Sequence, residues 1–369
     1  MIIIAQLHVE EGNDLMQLGI IGLPLVGKTT IFELMTQSKV KTQGTGKTNT
    51  AMARVPDYRV DWLSELYKPK KTTYAQLELV DIPGLSPGSE KAAAVFLDSV
   101  RKADALLHVV RIFTNPNVPY HGEDINPVRD IENIHYELLL ADLGLVERRI
   151  QRIEEGKKKK TQEKELALLH KLQQVLENEQ ALSTVELDEE ENDLLASYQF
   201  LTMKPMLVCL NIGEDHLIEG TYPGKDAVTD YLQSHQLPYV EVSASIERDI
   251  AELEGDEREE FMQEMGLQES GIVRVTRTVY QSLDLLSFFT VGEDEVKAWT
   301  ITAGSPARKA AGKIHSDIER GFIRAEVVAF DYLYELGSMT AVKEKGLFRL
   351  EGKDYVVADG DIIHFRFNV

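Results

Sequence analysis

Cysteine is almost absent from this sequence. Cys209 is the only one in 369 residues, so an internal disulfide cannot form. It lies inside the apolar stretch 206–210, where a buried core thiol is expected and a redox centre is not. No group of cysteine and histidine residues has the spacing of a zinc site. The sequence thus excludes a disulfide-stapled fold and gives no sign of a zinc-binding module.

Long apolar runs are also lacking. No stretch approaches about 18 uninterrupted apolar residues, the length that a membrane-spanning helix needs. Residues 1–10 lack the basic flank and the cleavage site of a signal peptide. With 43% apolar and 27% charged residues, the composition is that of a globular protein with two or three domains. We therefore expect a cytoplasmic protein with no membrane partner.

Positive charge is scarce. The chain has 40 Lys and Arg against 61 Asp and Glu, a net charge of −21. Such a field repels phosphate, which argues against broad attachment to nucleic acid, and we expect no DNA partner. Local basic clusters remain possible contacts with RNA or ordinary solvated surfaces. They are the four lysines at 157–160 and a looser group of Arg308, Lys309, Lys313, Arg320 and Arg324.

The most informative motif present is a phosphate-binding loop. Residues 22–29 read G-L-P-L-V-G-K-T, which fits G-x-x-x-x-G-K-[ST], between an apolar run at 18–21 and a helical pattern from Thr29. In such a loop the backbone amides cradle the phosphates, Lys28 bridges the β- and γ-oxygens, and Thr29 holds Mg²⁺. The predicted nucleotide-binding residues here are Leu25, Val26, Gly27, Lys28, Thr29 and Thr30.

A second motif follows the next predicted strand, at 77–81. That strand ends in Asp81-Ile-Pro-Gly84, and an acidic residue at this edge of a parallel sheet is placed to make a further contact with Mg²⁺. The amide of Gly84 can sense a γ-phosphate. Ras-like enzymes carry a water-orienting glutamine after this glycine, whereas Leu85 here has neither a donor nor an acceptor. Hydrolysis must then depend on Mg²⁺, Lys28 and backbone amides, with any water-positioning group supplied from elsewhere.

Two later strands end in polar residues suited to a base site. The strand 205–210 is followed by Asn211-Ile212-Gly-Glu214, and the strand 239–242 by Ser243-Ala244-Ser. GTPases of this topology read guanine at these strand ends with N-K-x-D and S-A-K. Glu214 in place of aspartate and Ile212 in place of lysine remove the paired acceptor geometry for guanine, whereas the amine of adenine can meet Asn211 or backbone carbonyls. We therefore predict that ATP binds better than GTP, with Asn211, Ile212, Glu214, Ser243 and Ala244 in the base site.

The remaining pattern indicates two additions to the sheet. From Asp130, apolar residues recur at helical spacing, break near Gly156 and resume to Leu176, which predicts a helical hairpin with 157–160 at its tip. Past Leu283 the chain changes to short strands with turn signals, which predicts a small β-rich module.

Taken together, these motifs resemble the YchF/Obg-like ATPase family. The resemblance covers residues 16–369 and is carried by the phosphate loop, D-I-P-G, N-x-x-E, S-A-S and the C-terminal runs at 321–330 and 350–369. It implies an α/β P-loop NTPase (G) domain with an inserted α-helical hairpin and a C-terminal TGS-like β-grasp domain. It also implies ATP preferred over GTP, dependence on Mg²⁺, and association with the ribosome and its RNA.

The predicted domains follow from this resemblance. They are an N-terminal extension at 1–15, the NTPase domain at 16–129 and 199–283, the hairpin at 130–198 and the β-grasp domain at 284–369.

The resemblance also implies two roles outside the motifs above. Aligning Pro56-Asp57 with the family pattern puts Thr45 on a magnesium-contacting threonine. A water-positioning histidine of the family falls on Tyr120, with His121 one residue away, and we favour His121 as the catalytic partner of Lys28. The family usually has asparagine where this chain has Leu25.

Three functions remain open on the sequence alone. The favoured one is a slow ATPase that acts as a ribosome-linked switch. The alternatives are a GTP-specific translation-factor GTPase and a nucleotide-gated ribosome-binding module with negligible hydrolysis.

Overall fold

The computed structural model describes residues 16–39, 48–85, 89–120, 124–156 and 162–368. Within these ranges no helix is long and apolar enough to cross a membrane. Thr45 and His121 lie outside the described residues, as do the segment 1–15 and the lysines at 157–160. The predictions made for them stay predictions.

Strands and helices alternate along most of the described chain. The first elements are β1 Gln17–Ile21, α1 Lys28–Thr36, β2 Asn49–Arg54, α2 Tyr58–Tyr67, β3 Lys71–Thr73, β4 Gln76–Asp81, α3 Glu90–Lys102, β5 Ala105–Arg111, α4 Pro127–Glu155, α5 Glu163–Glu177 and α6 Glu189–Leu195. Then come β6 Met206–Asn211, α7 Glu214–Glu219, α8 Lys225–Ser234, β7 Tyr239–Val242, α9 Ala244–Glu252, α10 Gly255–Glu264 and α11 Gly271–Ser282. The last are β8 Leu285–Thr290, β9 Glu295–Thr302, α12 Ala307–Ile314, α13 Ser316–Arg320, β10 Phe322–Ala329, α14 Phe330–Leu336, α15 Met339–Glu344, β11 Arg349–Glu351 and β12 Asp361–Phe367.

The chain divides into two compact units. One consists of the chain up to Ala51 together with Glu78–Arg274, and the other of Met52–Leu77 together with Val275–Val369. The sequence does not predict that 52–77 belongs with the C-terminal part, since it lies between the two phosphate-site motifs. The domain boundaries given above remain proposals.

The first sheet has the strand order β2-β4-β1-β5-β6-β7. β1 is parallel to both β4 and β5, β5 is parallel to β6, and β6 to β7. All seven residues of β5 are buried, as expected for a parallel strand covered on both faces. Because parallel strands end at the same edge, this topology brings the phosphate loop, Asp81, Asn211 and Ser243 to one edge of the sheet.

Two helices form the predicted hairpin segment. α4 begins at Pro127, where the side chain of Asn126 caps the helix by accepting from the Arg129 amide at 3.1 Å. Its apolar side packs on α5 in a cluster that includes Val146 and Leu169. Asp142, fully buried on α4, accepts hydrogen bonds from the amides of residues 201 and 202, which ties the helix to the chain leading into β6.

The second sheet has the order β11-β10-β12-β8-β9-β3. β8 and β9 form an antiparallel hairpin, β10 pairs antiparallel with β11 and β12, and β12 runs parallel to β8. The β8–β9 hairpin is followed by helices α12 and α13, and the last strand, β12, lies in the middle of the sheet beside β8. This is the β-grasp arrangement, and one buried cluster lies beneath the helices. β3 adds a strand at the edge, parallel to β9.

Candidate functional site

The phosphate loop requires its two glycines for steric reasons. Gly22 has φ 143°, and a Cβ there would meet the Val109 carbonyl oxygen at 2.4 Å. Gly27 has φ 101°, and a Cβ there would meet Asn211 Nδ2 at 2.4 Å. Any larger residue would therefore displace β5 or the end of β6. The loop is packed between these strands.

Lys28, the first residue of α1, is held inside this loop. Its ammonium donates to the Leu23 carbonyl at 2.7 Å, and the residue is 8% exposed. Burial lowers the pKa of Lys28 to about 8, and the nearby charge of Asp81 opposes this shift. A Cβ on Gly84 would lie 2.9 Å from Lys28 Nζ, so the glycine of D-I-P-G lies directly against the lysine head group. The structure thus brings Lys28 and Gly84 together.

Thr29 and Asp81 meet at the end of β4. The Thr29 hydroxyl donates to Asp81 Oδ2 at 2.8 Å. Burial raises the pKa of Asp81, while the hydrogen bond from Thr29 and the charge of Lys28 act in the opposite direction. A hydroxyl and a carboxylate are hard oxygen donors that suit Mg²⁺. In the described ranges no group of three or more His, Cys, Asp or Glu residues could hold a metal.

Asn211 connects the phosphate loop to the predicted base side of the site. Its Nδ2 donates to the Val26 carbonyl at 2.9 Å, and its Oδ1 accepts from the Ala244 amide at 3.1 Å. The residue is 3% exposed. Asn211 therefore links the phosphate loop to the start of α9, and these two bonds use one of its two amide hydrogens and one of its two oxygen lone pairs. Ser243, just before Ala244, bonds to the hydroxyl of Ser245 at 3.0 Å.

The two positions that differ from the N-K-x-D motif, 212 and 214, have different surroundings. Ile212 is 3% exposed and belongs to a core cluster with Ile112 and Tyr222, so its side chain is not presented to a nucleotide. Glu214 is exposed at the first position of α7. The sequence-based expectation that Ile212 lines the base therefore needs correction, because the apolar side chain packs into the core under β6.

The remaining loop residues differ in exposure. Val26 is buried and Thr30 is partly buried, whereas Leu25 is 48% exposed with φ 62°, in the left-handed region. Leu85 is buried, and its amide donates to the Gly22 carbonyl at 3.3 Å. The residue that replaces the water-orienting glutamine is therefore turned into the protein.

Tyr120 is committed to a structural network. Its hydroxyl donates to both oxygens of buried Asp130, at 2.9 and 2.7 Å, and accepts from Arg129 at 3.1 Å. Arg111, at the end of β5, donates to the carbonyls of residues 113, 118 and 119. This network fixes the loop up to residue 120. The sequence analysis did not predict roles for Arg111 and Asp130. An arginine at the end of a buried strand needs hydrogen-bond acceptors nearby, and this could have indicated the network.

Cys209 is a core residue, as the sequence predicts, and so is His108. Both are essentially unexposed within the sheet. Burial lowers the pKa of His108 to about 3 and raises the pKa of Cys209 to about 12. Both side chains are therefore neutral near pH 7.

Comparisons with known proteins identify a family. A family model described as a 50S ribosome-binding GTPase matches residues 17–142, and YchF-GTPase_C, described as a protein of unknown function (DUF933), matches residues 285–368. The chain is 42% identical over 361 residues to the ribosome-binding ATPase YchF of Bacillus subtilis, covering 95% of this chain and 99% of that protein. It is 38% identical to Obg-like ATPase 1 of Oryza sativa subsp. japonica, covering 96% and 92% of the two chains.

A solved structure is also similar over nearly its whole length. The Schizosaccharomyces pombe YchF GTPase superposes with a TM-score of 0.85 at 30% identity, covering 96% of this chain and 98% of that one. These matches confirm the resemblance found in the sequence and the P-loop NTPase fold with its C-terminal domain. The chain therefore belongs to the YchF/Obg-like ATPase family of nucleotide phosphohydrolases.

Proposed function

We propose that this protein binds and slowly hydrolyses ATP, with Mg²⁺, as a switch that associates with the ribosome in the cytoplasm. The observation that carries the proposal is the cluster of Lys28, Thr29, Asp81 and Gly84 at one sheet edge. The names of the relatives, ribosome-binding ATPases, support the partner.

The magnesium site would be formed by oxygens of this chain. Thr29 and Asp81 fit as ligands because their oxygens already lie 2.8 Å apart. Thr45 is the third proposed ligand and lies outside the described residues. Magnesium bound there would neutralise charge on the β- and γ-phosphates, while Lys28 and the loop amides hold the phosphates in place.

The proposed preference for ATP depends on the base side of the site. Reading guanine in N-K-x-D requires an aspartate that accepts two hydrogen bonds and a lysine stem that packs on the ring. Glu214 is one methylene longer than aspartate, and Ile212 is in the core. A site that cannot pair with the guanine donors loses its discrimination against adenine.

GTP remains the second candidate nucleotide. The relative from Schizosaccharomyces pombe is named a GTPase. The family that matches residues 17–142 is described as a ribosome-binding GTPase. A module without measurable hydrolysis is the third possibility, since Leu85 cannot orient water. Phosphate release above that of a Lys28→Ala variant would exclude it.

The proposed RNA contact lies in the C-terminal unit. Met52–Leu77 and Val275–Val369 together hold 17 Lys and Arg and 17 Asp and Glu, so this unit is net neutral and the rest of the chain carries the whole −21. Arg308, Lys309 and Lys353 form a basic patch: all three are exposed, and the Arg308 amide donates to the Lys353 carbonyl at 3.2 Å. In the described ranges none has an acidic partner, whereas Arg320 pairs with Asp317.

Co-sedimentation with purified ribosomes tests this proposal. Binding should weaken as salt rises, because contacts with phosphate release counterions. Arg308→Glu with Lys309→Glu should lower the slope of log affinity against log salt by roughly 1.5–2. Lys68→Glu with Lys102→Glu makes the same change of net charge on other exposed positions and serves as the control. Equal loss in both double variants would mean that only the net charge matters, and an unchanged slope in the first would exclude the basic patch.

A further inference from the structure

An exposed group of aromatic rings lies on the C-terminal unit, where α2 packs against α14. Trp62 contacts Phe330 edge to face at 5.5 Å between ring centroids and Tyr334 at 5.2 Å. Tyr58 contacts Phe330 at 5.9 Å. Phe330 is buried beneath the others, whereas Tyr58 is 66% and Tyr334 54% exposed. Tyr58, Trp62 and Tyr334 are called the aromatic face below.

The helix that presents this face is firmly anchored. The guanidinium of Arg59 on α2 pairs with Asp57 at 2.8 Å and with Asp359 at 2.7 Å. The same group lies 5.0 Å above the ring of Phe289 in β8. Because these contacts hold the inner side of α2 against the second sheet, the aromatic face is displayed on a rigid support and loses little freedom on binding.

Four carboxylates lie on the two helices that carry the aromatic face. Asp61 and Glu65 are four residues apart on α2, and Asp331 and Glu335 are four residues apart on α14. All four are exposed, and like charges at this spacing disfavour a helix. Arg54 approaches Asp61 at 3.8 Å, and Tyr74 donates to it. In the described ranges the other three have no basic partner.

We propose that the aromatic face and its carboxylates bind a lysine- or arginine-bearing segment of a ribosomal protein. The inference rests on the proposed ribosome association. Aromatic faces attract cations, carboxylates pair with them, and exposed Tyr and Trp are the residues that carry most of the affinity at protein interfaces. The same carboxylates repel the phosphates of RNA. One unit thus offers two chemically opposite surfaces, the basic patch for RNA and this face for basic protein.

Site-specific photocrosslinking tests the partner directly. The photoreactive p-benzoylphenylalanine is placed at position 334 of the full chain, which is then irradiated with purified ribosomes. The expected product is a crosslinked chain of raised mass that ribonuclease leaves unchanged. An adduct with RNA alone, or no adduct although the complex pellets, overturns this inference and leaves the proposed function intact. A wild-type chain that never pellets with ribosomes overturns the proposed function.

A second measurement tests the face without the ribosome. A fluorescein-labelled peptide of alternating lysine and alanine is titrated with the full chain at low salt. Tyr58→Ala with Tyr334→Ala should weaken this binding at least tenfold. Tyr136→Ala, at an exposed tyrosine of α4, should leave it unchanged. Equal affinity of the double variant and the wild type overturns the inference.

Charge reversal gives a third check on the same face. Asp331→Lys with Glu335→Lys should abolish binding of the lysine peptide, because the cation then meets like charge. Circular dichroism and thermal unfolding confirm that each variant is folded, which is expected because Phe330 and Leu333 stay buried beneath the changed residues. A folded reversal variant that binds the peptide as well as the wild type overturns the inference.

Discussion

The side-chain amide of Asn211 donates a hydrogen bond of 2.9 Å to the carbonyl of Val26, in the middle of the phosphate loop. Through its oxygen, Asn211 also accepts from the Ala244 amide at 3.1 Å. One residue at the end of β6 therefore fixes the phosphate loop and the start of α9. We therefore expect Asn211 to affect the binding of every nucleotide through the geometry of the loop.

Asn211→Ala should weaken ATP and GTP binding by similar factors. Two buried hydrogen bonds are lost, each of which contributes on the order of 1 kcal/mol, so a loss of about tenfold or more is expected for both nucleotides. Equilibrium titration with labelled nucleotides measures both affinities. Asn178→Ala, at an exposed asparagine after α5, is the control. A selective loss of ATP binding would instead make Asn211 a base reader.

Lys28→Ala should abolish hydrolysis while the protein stays folded. The variant lacks the ammonium group that would contact the β- and γ-phosphate oxygens. It also removes a buried amine, whose pKa burial lowers to about 8. Phosphate release should fall to background, and the unfolding temperature should not decrease. Lys39→Ala, at an exposed lysine after α1, should behave as the wild type. Turnover retained in Lys28→Ala would remove the basis of the active-site assignment.

Leu25→Asn should stabilise the protein. Leu25 has φ 62°, a conformation that costs an L-residue with a Cβ about 1 kcal/mol and that asparagine adopts more readily. The side chain is 48% exposed, so little packing is lost. Urea denaturation should show a free energy of unfolding higher by about 0.5–1 kcal/mol. Leu140→Asn, at an exposed position inside α4, should give no gain, and a decrease in Leu25→Asn would show that packing outweighs the backbone strain.

His108 should make stability depend on pH. Its pKa is lowered to about 3 by burial, whereas the unfolded chain has a value near 6.5. Between these values the unfolded state binds more protons, so stability falls as pH decreases below 6.5. From pH 7.5 to pH 5.5 the loss due to this residue should be about 1.4 kcal/mol.

The test compares the pH dependence of two variants. His108→Asn should flatten the fall in unfolding free energy between pH 7.5 and pH 5.5, whatever its own stability at pH 7.5. His170→Gln, at an exposed histidine of α5, should leave the fall unchanged. An identical pH dependence in His108→Asn and the wild type would mean that His108 gains a proton in the folded state as readily as in the unfolded one.

The phosphate side of the site could be predicted from the sequence, and the base side only in part. Lys28 and Thr29 are adjacent in a motif whose geometry the backbone dictates, and Asp81 is the last residue of β4, which is parallel to β1. The residues at 211–214 predicted a base site that differs from the N-K-x-D motif of GTPases. The sequence alone does not give the direction in which each side chain points. Ile212 turned out to be core, and Asn211 to be a support.

The assignment of residues 52–77 could not be predicted for a different reason. β3 is only three residues long and pairs with β9, far along the chain. Its contacts are set by tertiary packing, in which Arg59 meets Asp359, and no local period or turn signal marks them. The long, strongly periodic helices α4 and α5, by contrast, fall within the segment predicted for a helical hairpin.

Side-by-side binding of labelled ATP and GTP to the wild-type protein tests the central claim most directly. Competition of each labelled nucleotide with unlabelled ATP and GTP, in the presence of Mg²⁺, gives both dissociation constants under one condition. The account predicts that ATP binds at least several-fold more tightly, since neither Glu214 nor the buried Ile212 can reproduce the guanine-reading pair. A tenfold preference for GTP, about 1.4 kcal/mol, would contradict it.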